Sequence, residues 1–248
     1  MKKLTIAAAA LACAGSAQAA DLYVKAPAPA PAYYDWSGIY VGANAGYGWG
    51  DAGWIFSPAQ FFADTSGQSF TTQPKGALAG GQIGINKQIG SWVFGAEVTG
   101  DWSDMKQTLV GPLPPFTGDT WTTKLKDLET LTARVGYAYN NWLFHGKAGG
   151  ATGEVSVHAL SDLQTTAGVA FGQSQRLWGV TAGAGIEYGL TPNIILGVEY
   201  DFTSLFPGQF NGLGSAVIDG VRNTTPVSFG ALHSFDVQTV TGRVSYKF

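Results

Sequence analysis

The stretch IILGVEYDF, Ile194 to Phe202, alternates strictly. Ile194, Leu196, Val198, Tyr200 and Phe202 share one face, and Ile195, Gly197, Glu199 and Asp201 share the other, because successive side chains of a strand point to opposite sides. Seven further segments repeat the pattern. They are GIYVGANAGYGW from Gly38, ALAGGQIGINKQ from Ala77, SWVFGAEVTGDW from Ser91, TLTARVGYAY from Thr130, WLFHGKAGGAT from Trp142, LWGVTAGAGIEY from Leu177 and VQTVTGRVSYKF from Val237. Each has about the 9–11 residues that cross a bilayer as a tilted strand.

The connections alternate as well. Ile89-Gly90, Asn140-Asn141 and Thr191-Pro192-Asn193 read as tight turns, built from residues that turns favour. The stretches 50–76, 103–129, 153–174 and 203–234 read as long loops. Long loops on one side and tight turns on the other are the order of an outer-membrane barrel. The prediction is an all-β, eight-stranded, antiparallel up-and-down transmembrane β-barrel with long extracellular loops and short periplasmic turns. Such a barrel must close, with the last segment pairing to the first, because lipid tolerates no open strand edge.

Which face meets lipid follows from the second face. It carries Gly42, Gly46, Gly48, Gly80, Gly84, Gly95, Gly183 and Gly185. Glycine on a solvent-facing strand only weakens it, whereas glycine inside a narrow barrel makes room. The charges Glu97, Asp101, Arg134, Lys147, Glu187, Glu199, Asp201, Arg243 and Lys247 lie on that same face. Acids and bases are mixed, so a lumen charge network of ion pairs is expected rather than a catalytic set. Aromatics gather at both ends of the greasy face: Trp92, Tyr137, Trp142, Tyr188, Tyr246 and Phe248 by the short turns, Tyr47, Trp49, Trp102 and Phe202 by the long loops. Two such girdles mark the interfaces with lipid and lipopolysaccharide.

The N-terminus reads as an export signal. Lys2 and Lys3 precede the apolar run 4–15, and Ala17-Gln18-Ala19 is a small-x-small cleavage site. The expected organisation is a cleaved signal at 1–19, an Ala/Pro-rich periplasmic linker at 20–35 and the barrel at 36–248. The Ala-Pro alternation of 26–32 favours an extended spacer. Cys13, in a faint lipobox within the signal, is the single cysteine, so the mature chain has no thiol chemistry. No run of about 20 apolar residues follows, and no transmembrane helix is expected. Only 12% of residues are charged, against about 25% in ordinary globular chains. Removing the signal leaves 12 basic against 17 acidic residues, a net charge of −5, which excludes a nucleic-acid footprint.

Candidate chemistry is thin. His145 falls on the lumen face beside Lys147, and His158 and His233 fall in predicted loops. No Ser/His/acid set shares one face, as nucleophilic catalysis needs, and the histidines lack metal-ligand spacing. No enzyme activity, cofactor or metal is expected, and no oligomeric state is assigned. A narrow pore is an alternative, with the lumen Glu and Arg residues setting selectivity. A binding surface is another, through loops carrying Phe61, Phe62, Phe70, Phe116, Phe206 and Phe210.

The run DLYVKAPAPAPAYYDWSGIYVGANAGYGWG, the middle GGQIGINKQIGSWVFGAEVTGDWS and the terminal GRVSYKF resemble the small outer-membrane proteins of rhizobia and their relatives, the RopB-type family of the OmpA-like barrels. The resemblance covers nearly the whole mature chain. It implies that Phe248, with Tyr246 two residues before it, is an insertion signal read by the barrel assembly machinery. It also implies an abundant surface protein that supports envelope integrity and contacts a host surface.

Overall fold

The computed structural model describes residues 34–55, 67–111, 118, 120–160, 169–218 and 221–248. The expected signal at 1–19, most of the linker and the loop residues Phe61, Phe62 and Phe116 lie outside them. Among the described residues ten strands form one antiparallel sheet: β1 (Gly38–Ile55), β2 (Ser69–Thr72), β3 (Lys75–Ile89), β4 (Trp92–Val110), β5 (Thr120–Tyr139), β6 (Trp142–Leu160), β7 (Val169–Gly189), β8 (Ile194–Leu205), β9 (Gly208–Ile218) and β10 (Val221–Lys247). The eight alternating segments are the eight strands of a closed ring, β1-β3-β4-β5-β6-β7-β8-β10, sealed by pairing of β10 with β1 from Tyr40↔Lys247 to Ile55↔Ala231. Each strand of the ring therefore has a paired strand on each side, as lipid requires.

The tight turns hold their residues for a reason. Gly90 and Asn140 adopt φ of 63° and 54°, a left-handed conformation that Gly and Asn tolerate best. In the turn before β8 the Thr191 hydroxyl accepts from the Ile194 N–H at 3.0 Å. The greasy face points outward throughout: Ile194, Leu196, Val198, Tyr200 and Phe202 are exposed, while Ile195 and Glu199 are buried. At the turn end Trp92 meets Tyr137, Trp142 meets Tyr188 and Tyr246 meets Phe248, with ring centroids 4.7–5.6 Å apart.

The long connections are not mainly loops. β4 runs on to Val110, β5 starts at Thr120, β6 reaches Leu160 and β7 begins at Val169. Here the polarity of the two faces inverts. Asp104, Lys106, Lys124 and Arg176 point outward, and Met105, Trp121, Leu125, Val155 and Val157 point inward and are buried. Register shifts beside Trp102 and Leu125 also break the two-residue period. A search for apolar-out alternation reads such a stretch as loop, although it is a water-exposed barrel wall closed over an apolar core. His158 accordingly sits on β6 and His233 on β10, not in loops. Phe70 lies on β2 and Phe210 on β9, Phe210 fully buried and Phe70 packed against the core.

Three layers fill the lumen. At the loop end an apolar core groups Trp54, Met105, Trp121, Leu125, Leu205, Phe210, Leu232 and Phe235, with Trp54 edge-on to Trp121 and to Phe210 at 5.2 Å. At the turn end Tyr34 and Trp36 pack with Val93, Leu143 and Ile195. Trp36 is 0% exposed, and its backbone N–H donates to Gln88 Oε1 at 2.8 Å. Tyr34, expected in the linker, belongs to this packing, and Asp35 beside it is exposed. The polar layer lies between the two.

Candidate functional site

The polar layer arises from register. Tyr40 on β1, Gly84 on β3 and Glu97 on β4 lie in one row across three strands. Gly84 has no side chain, so the Tyr40 hydroxyl reaches over it and donates to Glu97 Oε2 at 2.7 Å. A Cβ on Gly84 would stand 2.3 Å from that hydroxyl. The same device recurs around the barrel. His145 and Glu199 flank Gly185, with Nε2 and Oε2 3.0 Å apart. Lys147 and Asp201 flank Gly183, 3.2 Å apart. Glu187 and Arg243 flank Gly197, and Gln82 and Ser245 flank Gly42, bonded at 3.1 Å. Each of these five glycines seats a pair formed by its two cross-strand neighbours.

The rows then join. Arg134 forms an ion pair with Glu187 at 2.8 Å and donates to Glu97 at 3.3 Å and to the Tyr40 hydroxyl at 2.7 Å. Arg243 binds Glu199 at 2.6 Å and is bonded to Glu97. Lys147 donates to Glu199 at 2.6 Å and lies 3.7 Å from Glu97. Glu97, Arg134, Lys147, Glu187, Glu199 and Arg243 are all buried, Asp101 and Asp201 partly so. In such surroundings one missing partner leaves a charge uncompensated at a cost of about 3–5 kcal/mol. The structure thus brings seven of the nine charges expected on the lumen face into one ion-paired cluster, while Asp101 has no ion pair among the described residues. Lys247 stands apart at the turn end, bonded to the Asp35 carbonyl and 4.3 Å from the Tyr34 ring centre. There the Ser37 backbone N–H donates to Asp35 at 2.9 Å and holds its carboxyl below the usual carboxylate range.

Face assignment puts Gln82 and Asn86 in the lumen, where both are buried, but it does not single out Tyr40 as a member of this layer. The available signal was a polar residue two strands from another with glycine between, which is visible only once the register is known. The predicted interface aromatics Tyr47, Trp49, Trp92, Trp102, Trp142 and Tyr246 are exposed on the outer face, Trp102 at 78%, Tyr188 is half-buried against Trp142, and the structure adds Trp178 beside the loop-end set. Above that set a second, exposed group of ion pairs runs along β4–β7: Lys124 with Asp104 at 3.1 Å, Arg176 with Glu129 at 2.6 Å and Lys126 with Glu154 at 2.7 Å. The Lys126 ammonium holds the Glu154 carboxyl below its ordinary range.

An outward apolar band, aromatic ends and a closed antiparallel ring are the marks of a barrel that lives in lipid. Residues 5–248 match the family described as outer membrane protein beta-barrel domain. The chain belongs to that family. It is 32% identical to the 31 kDa outer-membrane immunogenic protein of Brucella melitensis, over the full length of both. It is 31% identical to the 25 kDa outer-membrane immunogenic protein of Brucella canis, covering 100% of this chain and 99% of the relative. It is 30% identical to the 22 kDa outer membrane protein of Rhizobium leguminosarum bv. viciae, over 71% of this chain and 67% of the relative. The protein is therefore an integral β-barrel of the bacterial outer membrane, and the small alphaproteobacterial type expected from the sequence is the type it matches.

Proposed function

We propose that this barrel is a closed structural element of the envelope that presents its loop end at the cell surface. The carrying observation is the lumen, filled in succession by the turn-end plug around Trp36, the ion-paired layer and the loop-end core around Trp54. An eight-stranded barrel is just wide enough for side chains to fill, whereas open porins use about 16–18 strands. A side-chain-filled bore supports the structural reading over the narrow pore.

The role is non-catalytic. The His145 imidazole is engaged by Glu199. Ser156 and His158 are 3.3 Å apart, but among the described residues no carboxylate is bonded to His158, so the pair lacks the group that would orient it for nucleophilic chemistry. Surface display has its own support. The wall continues as a polar-faced barrel past Trp102 and Trp178, and the Brucella relatives are named for their immunogenicity.

The test is conductance of the purified, refolded protein in a planar bilayer, with folding verified by heat-modifiable gel mobility. The expected record is a silent membrane for the wild-type protein. Discrete steps whose ion selectivity shifts in Glu199→Gln would overturn the closed reading and establish a pore.

A further inference from the structure

Three lysines stand in one cross-strand row on the outer wall. Lys75 begins β3 directly opposite Trp49 of the loop-end girdle. Lys75 also faces Lys106 of β4, and Lys106 faces Lys124 of β5. Lys75 and Lys106 are exposed, and Lys124 is half-buried. Like charges directly opposite each other destabilise a strand pair, so the row needs counter-charge. The protein supplies one carboxylate: Asp104 lies 3.1 Å from Lys124 and 3.6 Å from Lys106. Lys75 has no ion pair among the described residues. The neighbouring acids are engaged elsewhere. Asp51 accepts from Gln73 at 2.9 Å, and Asp127, Glu129 and Glu154 pair with Arg176 and Lys126 along β5–β7. The row therefore keeps an excess of two positive charges. Beside it, one step further along β4 and β5, stand the exposed Thr108 and Thr122 hydroxyls, 2.8 Å apart.

We infer that this row is a binding site for the phosphate monoester of a membrane lipid headgroup. A phosphate monoester carries about −1.5 to −2 charge near neutral pH, which balances the row. Its oxygens accept from ammonium and hydroxyl groups alike. The position selects a lipid over a free phosphate. Lys75 is paired to Trp49, and girdle aromatics mark the level of the headgroups. Long lysine stems can lay their ammonium groups at that level. At the turn-end rim, among the described residues, Lys87 is the one base exposed on the outer face, so the row belongs to one leaflet. That this leaflet is the outer one rests on the surface orientation proposed above; the site itself does not, nor does it depend on whether the lumen conducts.

The experiment measures binding of phosphatidic acid, a monoester, to the full-length, refolded barrel in neutral detergent. Phosphatidylglycerol (a diester), phosphatidylcholine, diphosphoryl lipid A and inorganic phosphate serve as comparisons. Phosphatidic acid and diphosphoryl lipid A should bind saturably and more tightly than phosphatidylglycerol, and phosphatidylcholine should not compete. Lys75→Gln breaks no ion pair. It should weaken phosphatidic acid binding about fivefold, and Lys75→Gln with Lys106→Gln about 25-fold, at about fivefold per lysine near an anionic headgroup. Lys106→Arg should bind as wild type, and so should Lys87→Gln at the other rim. In phosphatidylcholine vesicles Lys75→Gln should unfold at the same urea concentration as wild type or higher, because it relieves repulsion. Wild-type affinity in Lys75→Gln, or its unfolding at lower urea in phosphatidylcholine, overturns the site. Equal affinity for phosphatidylglycerol overturns the choice of a monoester, and displacement by inorganic phosphate at matching concentration overturns the lipid. Phosphatidic acid binding without lipid A binding overturns the outer-leaflet assignment and leaves the site standing.

Discussion

Adding one methyl group at Gly84 tests the glycine-seat arrangement directly. In Gly84→Ala the new Cβ falls 2.3 Å from the Tyr40 hydroxyl and 2.9 Å from the Ala96 carbonyl oxygen. Tyr40 is fully buried, with Glu97 and Arg134 both bonded to its hydroxyl, so the ring has nowhere to retreat. Overpacking of this kind costs about 1–3 kcal/mol. Displacing the hydroxyl from Glu97 strands a buried polar group and adds about 1–3 kcal/mol. The total expected is a loss of roughly 2–6 kcal/mol. The control is Gly150→Ala on β6, where the Cβ points outward and meets nothing within 4 Å. It should be neutral or stabilising by up to about 1 kcal/mol, since alanine loses less backbone freedom than glycine. Urea unfolding in lipid vesicles, read by tryptophan fluorescence, measures both variants against wild type. Equal stability of the two alanine variants would refute the reasoning, because it would mean that the inward glycines are not seats.

Other perturbations probe the remaining layers. Glu97→Gln keeps the side-chain shape but removes the charge shared by Arg134 and Arg243; a loss of about 3–5 kcal/mol is expected in the same unfolding assay, and a loss under about 1 kcal/mol would show that the pairs are slack. Trp36→Ala empties the turn-end plug and should cost about 3–5 kcal/mol, while single-channel recording should stay silent because the ion-paired layer and loop-end core remain. Val198→Arg puts a charge on the exposed lipid face of β8; its folding into vesicles should weaken by about 2–4 kcal/mol, and unchanged stability would argue that this face is not in lipid.

The sequence by itself determined the class of this protein. Strict alternation in eight segments, glycine and charge confined to one face, and tight turns at Asn140 and around Pro192 admit a membrane barrel and little else. The direction of each side chain follows from a period of two, so Glu97, Arg134, Glu199 and Arg243 could be placed in the lumen without coordinates. Face assignment is a local property, and local sequence carries it.

Tertiary structure decided what local sequence cannot carry. Which polar residue meets which depends on register, and a slip of one residue would separate Tyr40 from Glu97 and His145 from Glu199. Closure of β10 onto β1 brings Arg243 to Glu97, which is 146 positions away in the chain. The strand extensions were illegible because the inside–outside code inverts where the wall leaves the membrane: Met105 and Val155 turn inward exactly as a soluble barrel would require, and the bulge beside Leu125 shifts the period. Tyr34 falls at the end of the expected linker, because nothing in the local order says that it packs with Trp36 in the barrel mouth. An alternating sequence states on which side of the wall each residue stands. Only the closed, staggered ring decides what it faces across the lumen.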